Sequence, residues 1–251
     1  MYPSLPGKKV LVPGASKGIG RAIALRFAEN GCDVAITGRN GDELASLAYE
    51  IREIGRRCSV KEADLSSPEE ALEMARYFCE TFGPLGILVN NAGLSYPESI
   101  TDLDPEHWQT TLAVNLTAPA LVTCVVAKQM KEQKSGAIVN ISSSAGTVGL
   151  SEHAAYCSSK FGLNGLTKVL ALELGPFNIR ANCVAPTVTL TPMGEQVWSA
   201  PEKRDPMLAN IPLGRFLQPR EVADAVVFLA SDSAAMITGE VLLVDGGLTA
   251  Q

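Results

Sequence analysis

Strand, glycine-rich turn and helix follow one another near the start of this chain, and that succession constrains its fold more than any other feature. Val10-Leu11-Val12 is a short apolar run that ends at a glycine turn, as a buried strand does. The turn Gly14-Ala15-Ser16-Lys17-Gly18-Ile19-Gly20 leads into a segment from Arg21 to Ala28 whose apolar residues recur at helical spacing. In that setting glycine lets the backbone approach a pyrophosphate, and the amino terminus of the helix stabilises its charge. The spacing Gly14-x-x-x-Gly18-x-Gly20 is wider than G-x-G-x-x-G, so the generic dinucleotide fingerprint fits imperfectly. A tight turn that holds no ligand is the plainer alternative.

Asp33 to Arg39 reads as the second strand. An NAD site places Asp or Glu at its end, about twenty residues past the glycines, to bond the ribose hydroxyls. Gly38 and Arg39 stand there in this chain, with Lys17 available from the turn. Two cations and no carboxylate suit the 2′-phosphate of NADP. Two solvated surface charges are the alternative.

Strands and helices then alternate to the end. Helices are expected over Asp42 to Ile54 and Pro68 to Phe82, with a strand over Cys58 to Ala63 between them. Asp64-Leu65 closes that strand, where an adenine could lie. Ile87-Leu88-Val89 runs into Asn90-Asn91-Ala92-Gly93, a polar turn at the carboxyl end of a buried strand, which is where open α/β sheets bind ligands. Asp104 to Lys131 has a helical pattern interrupted by Pro119. Proline lacks the N–H that would pair four residues back, so the Asn115 carbonyl is expected to be free to hold a water. A simple kink in a long helix is the alternative.

Ala137 to Ile141 is a fifth strand, running into Ser142-Ser143-Ser144. Three serines after a strand also make a capping turn, and only one of them need be chemical. Tyr156 and Lys160 lie four residues apart, on one face of a helix expected to reach about Leu174. A phenol ordinarily titrates near ~10, too high for efficient proton transfer at neutrality. A neighbouring ammonium lowers it, and a fall of about three pH units corresponds to roughly 4 kcal/mol. His153, just ahead of this helix, reads as a pocket wall or cap. Ile179 to Val184 is a sixth strand and Gly239 to Val244 the last, with a helix over Pro219 to Ser231. Between Thr187 and Phe216 the pattern is irregular and includes Trp198, as in a lid or substrate loop.

At 251 residues the chain can bury one sizeable α/β core. A net charge of −6 without a basic run argues against nucleic acid as a partner. Six scattered cysteines with no Cys-x-x-Cys pair, and only two histidines, argue against a metal site or disulfide framework. Reduced thiols point to the cytoplasm, or to an organelle had a transit peptide been removed. No apolar run is read as approaching the ~18 residues that span a bilayer.

In order and spacing, Gly14-x-x-x-Gly18-Ile19-Gly20, Asn90-Asn91-Ala92-Gly93, Asn115, Ser143, Tyr156-x-x-x-Lys160 and the turn at Pro186 resemble the short-chain dehydrogenase/reductase family across essentially the whole chain. Within it, Lys17 with Arg39, the run Ala185-Pro186-Thr187-Val188, and the stretch from Thr191-Pro192-Met193-Gly194 to Ile211-Pro212-Leu213-Gly214 resemble the L-xylulose (dicarbonyl) and carbonyl reductases. The resemblance implies a single Rossmann-like α/β domain, a doubly wound seven-stranded parallel sheet in the order 3-2-1-4-5-6-7 with helices on both faces. It implies NADP(H)-linked interconversion of a ketone and an alcohol, and a homotetramer acting on a small carbonyl or alcohol substrate.

The roles that the resemblance implies are specific. Tyr156 donates and accepts the proton, Ser143 bonds the same oxygen, Lys160 lowers the phenol and holds the nicotinamide ribose, and Asn115 positions a water. Cofactor contacts are expected from Gly14, Ser16, Lys17, Gly18, Ile19, Gly20, Gly38, Arg39, Asp64, Leu65, Asn91, Ala92, Gly93, Tyr156, Lys160, Pro186, Val188, Thr189 and Thr191. Substrate contacts are expected from Ser143, Tyr156, His153 and Trp198. Pro13, where the family usually has Thr, and Thr187, where many relatives have Gly, are departures that bear on cofactor affinity. A 3-oxoacyl-carrier-protein reductase, which shares these motifs, and a non-catalytic NADP-binding sensor are the alternatives.

Overall fold

The computed structural model describes residues 2–191, 194–195 and 198–250. Pro192 and Met193, part of the run likened to the xylulose reductases, lie outside them. Seven strands form one parallel sheet: β1 (Lys9–Pro13), β2 (Asp33–Gly38), β3 (Cys58–Glu62), β4 (Ile87–Asn90), β5 (Gly136–Ile141), β6 (Ile179–Pro186) and β7 (Val241–Val244). Their order is β3-β2-β1-β4-β5-β6-β7, as the resemblance implies. The chain winds outward from β1 to β3, then returns across β1 to build β4 to β7. That reversal opens a crevice beyond the carboxyl ends of β1 and β4.

Both faces of the sheet are covered, so its central strands read as continuous apolar runs. On one face Val10, Val12, Val34 and Ile36 pack with Ile23 and Phe27 of α1 (Gly18–Glu29), Leu44 and Leu47 of α2 (Gly41–Glu53), and Val226. On the other, Leu11, Ala35, Leu88, Ile138 and Ala181 pack with Met74 and Phe78 of α3 (Pro68–Thr81) and with Val122, Val126 and Met130. Alternate strand residues thus serve opposite cores, the period of two at work. Local capping sets the helix starts. The Asn40 side chain accepts from Glu43 N–H at 3.1 Å, and Ser67 accepts from Glu70 N–H at 3.2 Å ahead of Pro68.

Two stretches differ from expectation. The helix predicted over Asp104 to Lys131 is α4 (Pro105–Leu112), a π-helical turn over Ala113–Thr117, and α5 (Ala118–Gln133). By length and composition, residues 105–133 could cross a bilayer, contrary to the sequence reading, but half of the apolar window lies inside the protein. This is a core helix. Within the irregular stretch after β6 stands a further helix, α7 (Pro201–Ala209). It has no buried residue and carries Pro206 internally, so it shows no apolar period to detect. The long helix α6 (Ala154–Leu174) and α8 (Pro219–Ala230) complete the layers, with α8 packed on α1.

Candidate active site

The turn after β1 is built around close backbone contact. Gly14 and Gly18 have φ of 74° and 59°, a region that costs glycine little. A side-chain carbon on Gly14 would come within 2.7 Å of the Ala92 backbone, and one on Gly20 within 2.3 Å of the Gly14 carbonyl oxygen. Asn91 Nδ2 donates to that carbonyl at 2.8 Å, so the turns after β1 and β4 are tied together. Thr191 closes the cradle from the far side, its methyl 3.0 Å from where a carbon on Gly18 would stand. No side chain caps α1, and its first turn carries no acid. Its leading N–H groups, Ile19 among them, are therefore available to an anion.

At the end of β2, Gly38 lies beside Ser16 of this turn, with 3.4 Å between Ser16 and a carbon added to Gly38. Lys17 and Arg39, each next in sequence, are exposed and form no ion pair among the described residues. Asp64 Oδ1 accepts from Ser66 N–H and Oγ, which hold its carboxyl below the usual range, with Arg39 contributing. Leu65, Pro13 and Ala92 line one small cavity below the turn. This cradle, two open cations and an uncapped helix fit an anionic dinucleotide carrying a 2′-phosphate.

The second cluster gathers at the carboxyl ends of β4 and β5. Asn115 is fully buried in the π turn, a distortion that recurs at functional sites. Its side chain exchanges two hydrogen bonds with the Leu94 backbone, each 2.9 Å, and donates to Ser159 Oγ at 3.1 Å. Ser159 in turn donates to the Tyr156 carbonyl at 2.7 Å. Lys160 Nζ donates to the Ile141 carbonyl at 2.8 Å. A carbon on Gly93 would lie 3.5 Å from both Lys160 Nζ and Asn115 Oδ1, so these three converge. Ser143 lies close enough to the Tyr156 hydroxyl to influence its proton affinity, and its Oγ accepts from Ala145 N–H at 3.1 Å.

Burial governs the protonation of this cluster. It raises the Tyr156 phenol above its ordinary value, while the neighbouring Ser143 hydroxyl acts in the opposite sense. Burial also brings Lys160 down to about 8. The expected lowering of the phenol by Lys160 is thus not seen in the protein alone, because desolvation disfavours the charge on both partners. The ammonium lies 5.5 Å from the Tyr156 ring centroid.

Other expected residues fall nearby to differing degrees. The His153 ring stands edge-on to Tyr156 at 6.3 Å, its Nδ1 2.7 Å from the Ser151 carbonyl. Trp198 packs on Phe216 at 5.6 Å. The segment after Pro186 is bonded to the next residue, Leu217: its N–H donates to Val188 O at 3.0 Å, and Thr189 forms a bridge with it. Thr187 Oγ1 is buried without a partner. Sequence reasoning missed Ser159, the Leu94 backbone and the Ile141 carbonyl. Only Ser159 had a signal, its place on the helix face shared with Tyr156 and Lys160.

A family model described as enoyl-(acyl carrier protein) reductase matches residues 14–249. A D-threitol dehydrogenase from Mycolicibacterium smegmatis is 43% identical, over 98% of this chain and 94% of its own. An L-xylulose reductase from Bos taurus is 41% identical over 98% of each chain. A solved structure from Beutenbergia cavernae, assigned as an NAD(P)-dependent gluconate 5-dehydrogenase with NADP bound at low occupancy, superposes with a TM-score of 0.94 at 36% identity, covering 99% of each chain. Likeness at this level over the whole length, joined to the glycine cradle and the Ser143–Tyr156–Lys160 cluster, makes the chain a member of the short-chain dehydrogenase/reductase family.

Proposed function

We propose that this protein is an NADP(H)-dependent oxidoreductase of the carbonyl/L-xylulose reductase type, interconverting a small hydroxy-ketone and its polyol. The observation that carries the reading is the gathering of Tyr156, Ser143 and the buried Lys160 beside Asn115 and Gly93, at the mouth of a dinucleotide cradle. The relatives named for threitol, xylulose and erythrulose chemistry support the substrate class.

When bound, NADPH supplies a hydride. Gly14, Gly18, Gly20 and the N–H groups opening α1 hold its pyrophosphate, with Ser16 and Thr191 at the rim. Lys17 and Arg39 take the 2′-phosphate, Asp64 and Leu65 the adenine side, and Asn91 to Gly93 the floor. Pro186, Val188 and Thr189 border the nicotinamide end. Tyr156 gives its hydroxyl proton to the substrate oxygen, and takes it back in oxidation. Ser143 donates to that oxygen and steadies its charge. Lys160 stabilises the phenolate left behind. Asn115 fixes the floor of the proton path through Leu94 and Ser159. His153 and Trp198 wall the substrate.

Assayed by NADPH absorbance against L-xylulose, erythrulose, diacetyl and an acetoacetyl thioester, the protein should turn over the hydroxy-ketones best. Preference for the thioester would favour the oxoacyl-carrier reading. NADPH binding without turnover of any of the four would sink the enzyme. We also place the protein in the cytoplasm as a homotetramer. Phe161, Val169 and Leu172 leave an apolar stripe on α6, exposed at 49%, 47% and 79%, available to a second copy. A monomer in sedimentation at micromolar concentration would refute the assembly.

A further inference from the structure

One layer below the site, a line of polar side chains crosses the sheet. Asn90, Asn140 and Cys183 are neighbours in register on β4, β5 and β6. They stand two residues beyond Leu88, Ile138 and Ala181, hence on the same face, under α5 and α6. All three are almost fully buried, as are Thr123 of α5 and Thr167 of α6. Asn90 Nδ2 donates to Asn140 Oδ1 at 2.8 Å and to Thr123 Oγ1 at 3.1 Å. Asn140 Nδ2 donates to Thr167 Oγ1 at 2.8 Å.

The directions of the remaining bonds follow by counting protons. The single hydroxyl proton of Thr167 goes to the Leu163 carbonyl at 2.9 Å. Thr167 Oγ1 therefore accepts from the Cys183 thiol, 3.0 Å away. Burial pushes that thiol up to about 11, which keeps the donor proton in place. The line is neutral: Asn90 donates to Thr123 and Asn140, and Thr167 accepts from both Asn140 and Cys183.

Its position relative to the chemistry is what gives it a use. Asn140 immediately precedes Ile141, whose carbonyl receives Lys160, and Ser143 follows three residues on. Asn90 immediately precedes Asn91, which holds the glycine turn. Thr167 lies seven residues beyond Lys160, about two turns along the same face of α6. Apolar packing tolerates a small shift of α6 along the sheet better than a directional hydrogen bond does. Ser142 donates to Asn164 at 2.6 Å about one turn beyond Lys160, and the bond from β5 to Thr167 holds the helix about one turn further on.

We propose that Thr167 and Asn140 are positioning residues: their hydrogen bond sets the height of α6 on the sheet, and so places Lys160 against Ile141 and Tyr156 against Ser143. The proposal rests on the reductase reading of Tyr156 and Lys160.

The test compares Thr167→Val, which keeps the shape and loses the hydroxyl, with Thr167→Ser, which keeps the hydroxyl. Read-outs are melting temperature, NADPH Kd by fluorescence, kcat, and the pH profile of kcat. Thr167→Val should lose about tenfold or more in kcat, since misplacement by an ångström is worth up to about 10²-fold. It should also shift the pH profile and weaken NADPH binding, while Thr167→Ser stays near wild type in all three. Thr167→Val with a lower melting temperature but unchanged kcat, Kd and pH profile would overturn the proposal. So would Thr167→Ser falling as far as Thr167→Val. Should Thr167→Val not fold, Thr167→Cys, which keeps a weak S–H, should show a smaller change in the same direction, and an unmoved pH profile there would also overturn it. If the wild type turns over no carbonyl substrate, the functional reading fails, and the difference in NADPH Kd between the Val and Ser variants still decides the positioning role.

Discussion

The Lys160 ammonium ends on the Ile141 carbonyl 2.8 Å away, with 3% of the residue exposed. One carbonyl replaces the shell of water that a free ammonium would have, so the charge is poorly compensated. Its fall from 10.5 to about 8 expresses that deficit.

A pH dependence of stability follows. Below about pH 8 the amine is charged in both folded and unfolded chains, and burying it costs the fold about 3 kcal/mol. Between 8 and 10.5 the unfolded chain binds more protons than the folded one, so this contribution improves stability as pH rises. Lys160→Met has no such group. Urea unfolding of the cofactor-free proteins should therefore show the wild type gaining on the Met variant from pH 8 to pH 10. A constant difference would mean that the ammonium keeps its ordinary proton affinity.

The proton donor and its partner should separate from binding. Tyr156→Phe removes the hydroxyl and should cost about 10²–10⁴ in kcat. Ser143→Ala removes one donor to the developing charge and should cost about 10²–10³. NADPH Kd, measured by fluorescence, should change little in either, because the cradle is built from other elements. A Tyr156→Phe enzyme with near-normal kcat would exclude Tyr156 as the donor.

Cofactor choice should reverse at Gly38. A carbon there meets Ser16 at 3.4 Å and Leu44 at 3.7 Å, so Asp fits without displacing backbone. Its carboxylate would bond the ribose hydroxyls of NAD and repel the 2′-phosphate of NADP. At roughly 1.5–3 kcal/mol for a hydrogen bond to a charged group, one of the two cations should favour NADP by roughly tenfold or more, and both together by roughly 10²- to 10⁴-fold before solvent screening. Because both cations are exposed, raising salt should shrink that preference. The ratio of kcat/KM for the two cofactors, in wild type and Gly38→Asp, decides it.

Pro119 bears on the π turn. The Ala118 N–H reaches back five residues to Ala113, and Pro119 offers no N–H to the carbonyls that follow. Pro119→Ala restores a donor, and should draw the turn toward ordinary helix and slow turnover while leaving NADPH binding intact. Unchanged kcat would remove Pro119 from any part in holding Asn115.

Local pattern was legible where one physical cause dominated. Apolar runs bounded by turns located all seven strands, and the glycine spacing located the cradle, because no other residue tolerates Gly14 and Gly20 at such contact distances. It failed where causes competed. The π turn at Ala113–Thr117 has a helical apolar pattern and differs only in which carbonyl each N–H reaches. Helix α7 buries nothing, so periodicity had nothing to report. Asn140, one polar residue within an apolar strand, gave no hint that Thr167 would be waiting above it.

The amino-acid sequence by itself determined the order of strands and helices, the family, and the identity of the groups able to move a proton or hold a phosphate. Those depend on residue type and on neighbours a few positions away. The tertiary structure alone decided how the groups are charged and aimed. Desolvation of Tyr156 and Lys160 is a property of everything packed around them, and it reverses the direction expected for the phenol from the four-residue spacing. The Asn90–Asn140–Thr167 line likewise comes into being only when β4, β5 and α6, distant in sequence, are brought into register.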